Sequence, residues 1–305
     1  MKKHIGIIGG GAAGMMAAIT AAQKGAKVTI LERNDRIGKK ILQTGNGKCN
    51  LGNRNLTVEC YHGGDAAWIK QALERFGTEE TVCFFQKIGL LIKERNGYLY
   101  PVSEQAASVL DVLRYELQTL GVEIIYGCKV QKVERTLSGK LAVNNGDREW
   151  QFDAVILACG GKAAPGTGSD GSGWKIAKKA GHTCIAPVPA LVQLRCLETD
   201  LLKAIAGVRA DSRVRILCDG RETDVERGEL QLTEYGISGI PIFQLSRDVN
   251  YLLRDRKTVM AEIDFLPDMT EESYENMKKT RRILQEKRTA EEFFTGILNK
   301  KLMSI

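Results

Sequence analysis

Aromatic residues make up only 6% of the 305-residue chain, and it holds three histidines, at positions 4, 62 and 182. None of the three has a local relation to Ser238, which does not complete a G-x-S-x-G elbow, so a serine hydrolase is not indicated. The eight cysteines (49, 60, 83, 128, 159, 184, 196 and 218) include no C-x-x-C pair. That removes the vicinal pair needed for thiol–disulfide chemistry and suits reduced thiols in a cytoplasm. No metal is expected. No apolar run reaches the length needed to span a bilayer. Lys2 and Lys3 ahead of an alanine-rich stretch imitate a signal peptide, but Gly9 to Gly11 break its apolar run. The formal charge of +7 comes from 44 Lys and Arg against 37 Asp and Glu. With no aromatic-interleaved basic stripe, nucleic acid is not an expected partner.

What the chain has is glycine in patterned places. Ile5 to Ile8 reads as a strand running into Gly9, Gly11 and Gly14 in G-x-G-x-x-G spacing. Ala12 to Lys24 then reads as a helix stopped by Gly25, and Lys27 to Leu31 as a second strand ending on Glu32. The pattern predicts a dinucleotide site in which a diphosphate meets the free N–H groups of the helix N-terminus and Glu32 accepts from a ribose hydroxyl. A 2'-phosphate would meet that carboxylate, so NADP is disfavoured here. Arg36 to Asn55 is polar, glycine-rich and too long for a simple turn. Within it Lys39 and Lys40 are candidates for phosphate oxygens, and Thr44 to Asn50 for a flat ring. Cys49 is read as a packing residue.

Residues 61–93 read as helical, with Trp68, Leu73, Phe76, Val82, Phe84, Phe85 and Ile88 as an apolar face over the first unit. Ser103 is a candidate N-cap for a helix that Gly121 ends. Tyr98, Tyr100 and Ser103 either face a substrate or are buried tyrosines and a cap. Val122 to Tyr126 reads as a strand. Hairpin signals at Ser138-Gly139 and Asn145-Gly146 then predict a β-meander before a parallel strand, Ala154 to Ala158. A second glycine-rich crossing, Gly166 to Gly173, leads into a helix over Trp174 to Ala180. Short β-like runs follow, Leu191 to Leu194, Ser212 to Leu217 and Val259 to Phe265. Gly236 to Gly239 opens a helix over Ile240 to Asp248, either aimed at a ligand or serving as a packing turn, and Met269 to Ile305 reads as an amphipathic helical cap.

The segments GGGAAG (9–14), GKKILQTGNGKCN (38–50), YPVSEQAASVL (100–110), ILACGG (156–161), TGSDGSG (167–173) and LTEYGISGIPIFQLS (232–246) together resemble the bacterial FAD-binding oxidoreductases called the aminoacetone oxidase family. That family is similar to bile-acid 3-dehydro-Δ4,6-reductase flavoproteins, which reduce carbon–carbon double bonds conjugated to a ketone. The resemblance implies an α/β fold: a Rossmann-like, glutathione-reductase-like FAD-binding domain with an inserted β-meander (1–187), a β-rich domain (188–268) and a helical segment (269–305). Implied at FAD are Gly9, Gly11, Ala12, Ala13, Gly14, Glu32, Arg33, Lys40, Thr44, Gly45, Asn46, Gly47, Cys49, Asn50, Val130, Ala158, Gly160 and Gly161. No catalytic residue is assigned. The expected activity is hydride transfer between flavin and a small organic substrate, a hydrophobic enone, bound between the domains, with NAD(P)H as candidate donor. A tRNA-modifying flavoprotein and a non-catalytic flavin binder are the alternatives. The family's pattern has an acid before the third glycine of the 167–173 turn where Ser172 stands, and it returns to the first sheet by a crossing not found after Gly173. The chain is therefore expected to lack the segment closing the flavin site, to expose apolar surface, and to hold FAD and turn over weakly.

Overall fold

The computed structural model describes residues 2–284 and 289–303. The chain divides into two compact units, Met1–Cys184 and Ile185–Ile305. In the first, strand β1 (His4–Ile8), helix α1 (Ala12–Gln23) and strand β2 (Lys27–Leu31) form the opening βαβ unit, and Gly25 at φ +86° turns the chain out of the helix. The 36–55 stretch is not a featureless loop. It makes a tight 3-10 turn over Ile41–Gly47 and a two-residue strand β3 (Gly52–Asn53).

The expected helical region is two helices, α2 (Ala66–Arg75) and α3 (Thr78–Lys87), separated at Gly77, whose N–H donates to the Glu80 carboxylate at 2.8 Å. Its apolar face is only partly a packing face, since Val82 and Phe85 are buried while Trp68 is 69% exposed and Phe76 48%. A hairpin of β4 (Ile92–Arg95) and β5 (Tyr98–Pro101) precedes α4 (Ala106–Thr119). Ser103 is not its N-cap: Gln105 holds that position without a side-chain cap, and the Ser103 hydroxyl pairs with Ser108 instead. Strand β6 (Glu123–Ile125) runs parallel to β2; β7 (Lys132–Arg135), β8 (Leu141–Asn144) and β9 (Glu149–Phe152) form the meander; β10 (Ala154–Leu157) runs parallel to β1. The main sheet has the order β10-β1-β2-β6. The second glycine-rich crossing leads into α5 (Ser172–Lys179).

Alternation along β1 and β2 decides the layering. Ile7 and Ile30 pack with Met15 and Ile19 of α1 and Leu113 and Leu117 of α4. Their neighbours Ile8 and Leu31 belong to a second cluster with Val143, Phe152 and Ile176. Gly6 is required on the latter side, because a Cβ there would lie 2.5 Å from the buried Phe152 ring.

The second unit contains β11 (Leu194–Arg195), α6 (Thr199–Ile205), β12 (Arg209–Cys218), β13 (Arg221–Thr233), β14 (Gly236–Gly239), α7 (Ile240–Arg254) and β15 (Val259–Asp264). Its last helices are α8 (Glu271–Leu284), α9 (Ala290–Phe294) and α10 (Lys300–Met303); of the expected 269–305 cap, residues 285–288 and 304–305 lie outside the described residues. The strands form one antiparallel sheet in the order β11-β14-β13-β12-β15, with Leu230, Leu232 and Val214 packed against Ile242, Leu245 and Val249 of α7. The 236–239 glycines are explained within this unit. A Cβ at Gly236 would lie 1.9 Å from the Leu194 carbonyl oxygen, and one at Gly239 2.2 Å from that of Glu229. Among the described residues no helix is long and apolar enough to cross a membrane.

Candidate functional site

At the C-terminal ends of β1, β2 and β10 the chain leaves the sheet into glycine-rich turns, and a cavity of about 710 Å³ opens there. In open parallel sheets this edge is where ligands bind, and the volume lies within the usual range of roughly 300–1,000 Å³ for ligand pockets. A second cavity, about 810 Å³, lies beside α1 and is lined mainly by apolar groups such as Ile5, Met16, Ala21, Phe76 and Ile156, with lysines 2, 3 and 24. Its lining holds no carboxylate, histidine or cysteine.

The glycine turn divides its work sterically. Gly9 has φ +107°, and a Cβ there would lie 2.6 Å from the Ala158 carbonyl oxygen. A Cβ on Gly14 would lie 1.9 Å from the Gly9 carbonyl oxygen, so this glycine lets α1 lie directly on the strand ends. Gly11 differs from both: its Cβ would meet nothing within 4 Å, because it faces the cavity. Gly11 is also the N-cap of α1 and carries no side-chain cap, which leaves the N–H groups of Ala12 and Ala13 turned to the cavity they line.

Glu32 is 5% exposed and ties this turn to the end of β2. One carboxylate oxygen accepts the Gly10 N–H at 2.6 Å; the other accepts the Asn34 backbone N–H at 2.8 Å and its side-chain amide at 2.7 Å. Asn34 also donates to the Thr167 carbonyl, joining the first glycine crossing to the second. Arg33 pairs with Asp170 at 2.5 Å, and hydrogen bonds from Ser172 and Arg33 hold the Asp170 carboxyl well below its ordinary range. Lys40 donates to Ser169 at 2.7 Å, whereas Lys39 pairs with Asp35 at 2.7 Å. Five cations, Arg33, Arg36, Lys39, Lys40 and Lys129, line the cavity with one carboxylate, Glu32; Arg33 is paired with Asp170, and Arg36 and Lys39 with Asp35, while Lys40 and Lys129 have no ion-pair partner among the described residues, which leaves a net excess of positive charge. That excess suits an anionic ligand.

Of the expected site residues, Gly9, Gly11, Ala12, Ala13, Glu32, Arg33, Lys40, Thr44, Cys49, Asn50, Val130, Ala158 and Gly160 line this cavity. Gly14, Gly45, Asn46, Gly47 and Gly161 do not; Gly14 supports the turn from behind, and Gly45 and Asn46 adopt left-handed backbone that bends the 41–47 turn. The sequence reading missed Asn34, Ser169 and Trp174, which hold or wall the cavity. The TGSDGSG run, which contains Ser169 and ends next to Trp174, could have flagged these two, since it is a second strand-to-helix crossing at the same sheet edge.

Three cysteines line the cavity, and all are held as thiols. Burial raises Cys49 and Cys128, and burial together with the charges of Glu32 and Asp170 pushes Cys159 up to about 11. The nucleophilic thiolate is therefore scarce at neutral pH. Cys49→Ser is expected to leave reduction of the protein by a chemical reductant unchanged. A thiol reagent at neutral pH should label the exposed Cys60 and Cys83 before Cys49 or Cys159, and early labelling of Cys49, read by peptide mass, would show the thiol to be activated.

A family model described as HI0933-like protein Rossmann domain matches residues 3–291. The chain belongs to the HI0933-like protein Rossmann domain family. It is an oxidoreductase of the FAD type. It is 46% identical over 98% of its length to the 3-dehydro-bile acid delta(4,6)-reductase of Clostridium scindens, covering 73% of that protein. It is 31% identical, over 98% of this chain and 72% of the other, to the ribosomal RNA dihydrouridine synthase of Haemophilus influenzae. A solved flavocytochrome c3 fumarate reductase in its open conformation is 17% identical with a TM-score of 0.46, over 69% of this chain and 47% of that one. In this member of the HI0933-like family the residues present fit a dinucleotide: an open Gly11, uncapped N–H groups, a cationic wall and a buried carboxylate share one cavity.

Proposed function

We propose that the cavity holds FAD, the adenosine at Glu32, the diphosphate at Gly11 to Ala13 and the ring system toward Thr44 to Asn50, and that the protein reduces a carbon–carbon double bond conjugated to a ketone in a small apolar substrate. The observation that carries this reading is the single cavity joining the glycine turn, Glu32 and the 44–50 stretch, in a chain 46% identical to a reductase of that chemistry. FAD would supply the hydride. The chain's own part is to bind, orient and shield. Gly11 lets the backbone approach the diphosphate, the α1 N-terminus and nearby cations balance its charge, and the protonated cysteines leave no competing nucleophile.

Uridine reduction to dihydrouridine is the same class of step, since the uracil double bond is also conjugated to a carbonyl, and the 31% relative makes it the second reading. The second unit's sheet speaks against a nucleic-acid face there. Arg209, Arg213, Arg215 and Arg227 on its outer side are all ion-paired, with Glu229, Asp264, Glu262, Asp211 and Asp268 among their partners. A face so neutralised has little counterion to release on meeting phosphates.

The test begins with the absorbance spectrum of the purified protein and of the ligand released on heating, where a flavin is expected. Reduced anaerobically by dithionite, NADH or NADPH, the protein should be reoxidised by a steroid enone and not by the saturated ketone. Reoxidation by uridine-bearing ribosomal RNA alone would replace the first reading with the second.

A further inference from the structure

The cavity of about 810 Å³ beside α1 has a floor and a rim of opposite character, and its volume is that of a small-ligand site. Ile5 of β1, Met16 and Ala21 of α1, Ile156 of β10 and Phe76, the C-cap of α2, make the floor. Ile156 is 38% exposed although β10 reads Ala-Val-Ile-Leu, apolar on both faces. A parallel strand of that kind is one that other groups cover on both sides.

The floor offers a ligand no polar partner. Its one hydroxyl, that of Thr20, donates to the Met16 carbonyl at 2.8 Å. The last carbonyls of α1, which would repel an anion, accept from the turn that follows: Thr20 from the Lys24 N–H, Ala21 from Ala26 and Ala22 from Gly25. A nucleotide or a polyhydroxylated ligand would lose hydrogen bonds to water here and gain none. The rim is Lys2, Lys3 and Lys24, all exposed, none with an ion-pair partner among the described residues, and no carboxylate joins them in the lining. Asp153, whose charge reaches Lys3, lies outside the lining and accepts the His4 N–H at 2.7 Å. Three unmatched cations over an apolar floor call for an occupant with an apolar body and one anionic end.

We propose that this cavity binds a long-chain fatty acid, with the alkyl chain on the floor and the carboxylate among Lys2, Lys3 and Lys24. The site is separate from the dinucleotide cavity and goes beyond the reaction proposed above. A second copy of the chain fits it less well, because a two-fold contact would set the same three lysines against one another. A bilayer surface also fits it less well, since the apolar groups line a hollow and not a protruding edge.

Equilibrium binding tests this without relying on turnover. The delipidated protein, in excess FAD so that the dinucleotide cavity is filled, is titrated calorimetrically with laurate, 1-dodecanol and dodecyltrimethylammonium, each below its aggregation concentration. These share a tail and differ in the charge of the head. One laurate per chain is expected, with dodecanol about tenfold weaker and the cation weaker still. Palmitate should bind more tightly than laurate, because more of its chain is buried. Lys3→Gln and Lys24→Gln, at exposed positions, should each weaken laurate about two- to fivefold, the worth of an exposed pair, and leave dodecanol unchanged. Lys24→Glu should weaken laurate further, and Phe76→Ala should weaken laurate and dodecanol alike. No saturable laurate binding, equal affinity for the three heads, or lysine variants that bind laurate as the wild type does would overturn the site. So would a protein that binds no laurate but pellets with anionic phospholipid vesicles in a Lys24-dependent way, which would make the patch a membrane contact. Self-association that Phe76→Ala abolishes and laurate leaves unchanged would overturn it in favour of a second copy.

Discussion

Gly11→Ala is expected to leave the fold intact while removing most FAD affinity, and Gly14→Ala to do structural damage first. At Gly11 the backbone is extended (φ −78°, ψ −174°), which any residue adopts, and a new Cβ would meet no atom within 4 Å. Loss of glycine as N-cap costs helix α1 at most about 1 kcal/mol. The methyl group would stand between the diphosphate and the uncapped N–H groups behind it, and two charge-assisted hydrogen bonds lost or lengthened amount to about 3 kcal/mol, roughly a hundredfold in Kd. At Gly14 the same methyl would lie 1.9 Å from the Gly9 carbonyl oxygen and 3.0 Å from its carbon. Those are backbone atoms that cannot swing aside, so α1 must lift from the strand ends at about 3 kcal/mol, the upper end of overpacking penalties. For a unit of this size that is a fall in Tm of about 6–12 °C. Melting curves without ligand and flavin-fluorescence titrations separate the two. Wild-type affinity in Gly11→Ala would place the diphosphate elsewhere.

The same residues show why the opening βαβ unit was legible in the sequence. Its signals are local: alternation of Ile7 with Ile8 and of Ile30 with Leu31 assigns the two faces of the sheet, and the glycine spacing encodes contacts between atoms a few residues apart. Strand β13 was not legible for the opposite reason. Over Arg221 to Glu229 its one large apolar side chain, Val225, is 43% exposed, and only Leu230 and Leu232 reach the core. What keeps the segment extended is the ladder to β12 and cross-strand pairs such as Arg227 with Asp211, which no periodicity in one strand announces. Trp68 and Phe76 misled in the other direction, because helical spacing identifies a face and says nothing of whether another element covers it.

At the site, the glycines, Glu32 and the polar 39–50 stretch could be read directly, while Val130 and Gly160 were placed by family resemblance. The pairing of Lys40 with Ser169 and of Arg33 with Asp170 joins positions more than 120 residues apart.

Glu32→Ala is expected to lower both stability and cofactor affinity, and a change in nucleotide preference separates the two effects. In the folded protein this carboxylate accepts from the Gly10 N–H, the Asn34 N–H and the Asn34 amide. Gly10 is buried, so deleting the acceptor strands a donor at about 1–3 kcal/mol, which melting of the ligand-free protein would register. If the ribose also donates to Glu32, another 1.5–3 kcal/mol of binding, about ten- to a hundredfold in Kd, disappears with it. A purely structural role would weaken every adenine nucleotide alike. The ribose role adds a discriminating term, because the same carboxylate repels a phosphate on the 2' oxygen. Titration of wild type and variant with ADP and with 2'-phospho-ADP should show a strong preference for ADP that shrinks toward equality in Glu32→Ala. In Glu32→Gln the amide keeps one accepting oxygen and presents a donor where the other stood, so ADP binding should fall between the two while the charge repulsion is gone. A preference for ADP that is the same in wild type and Glu32→Ala would mean that the buried carboxylate only braces the turn.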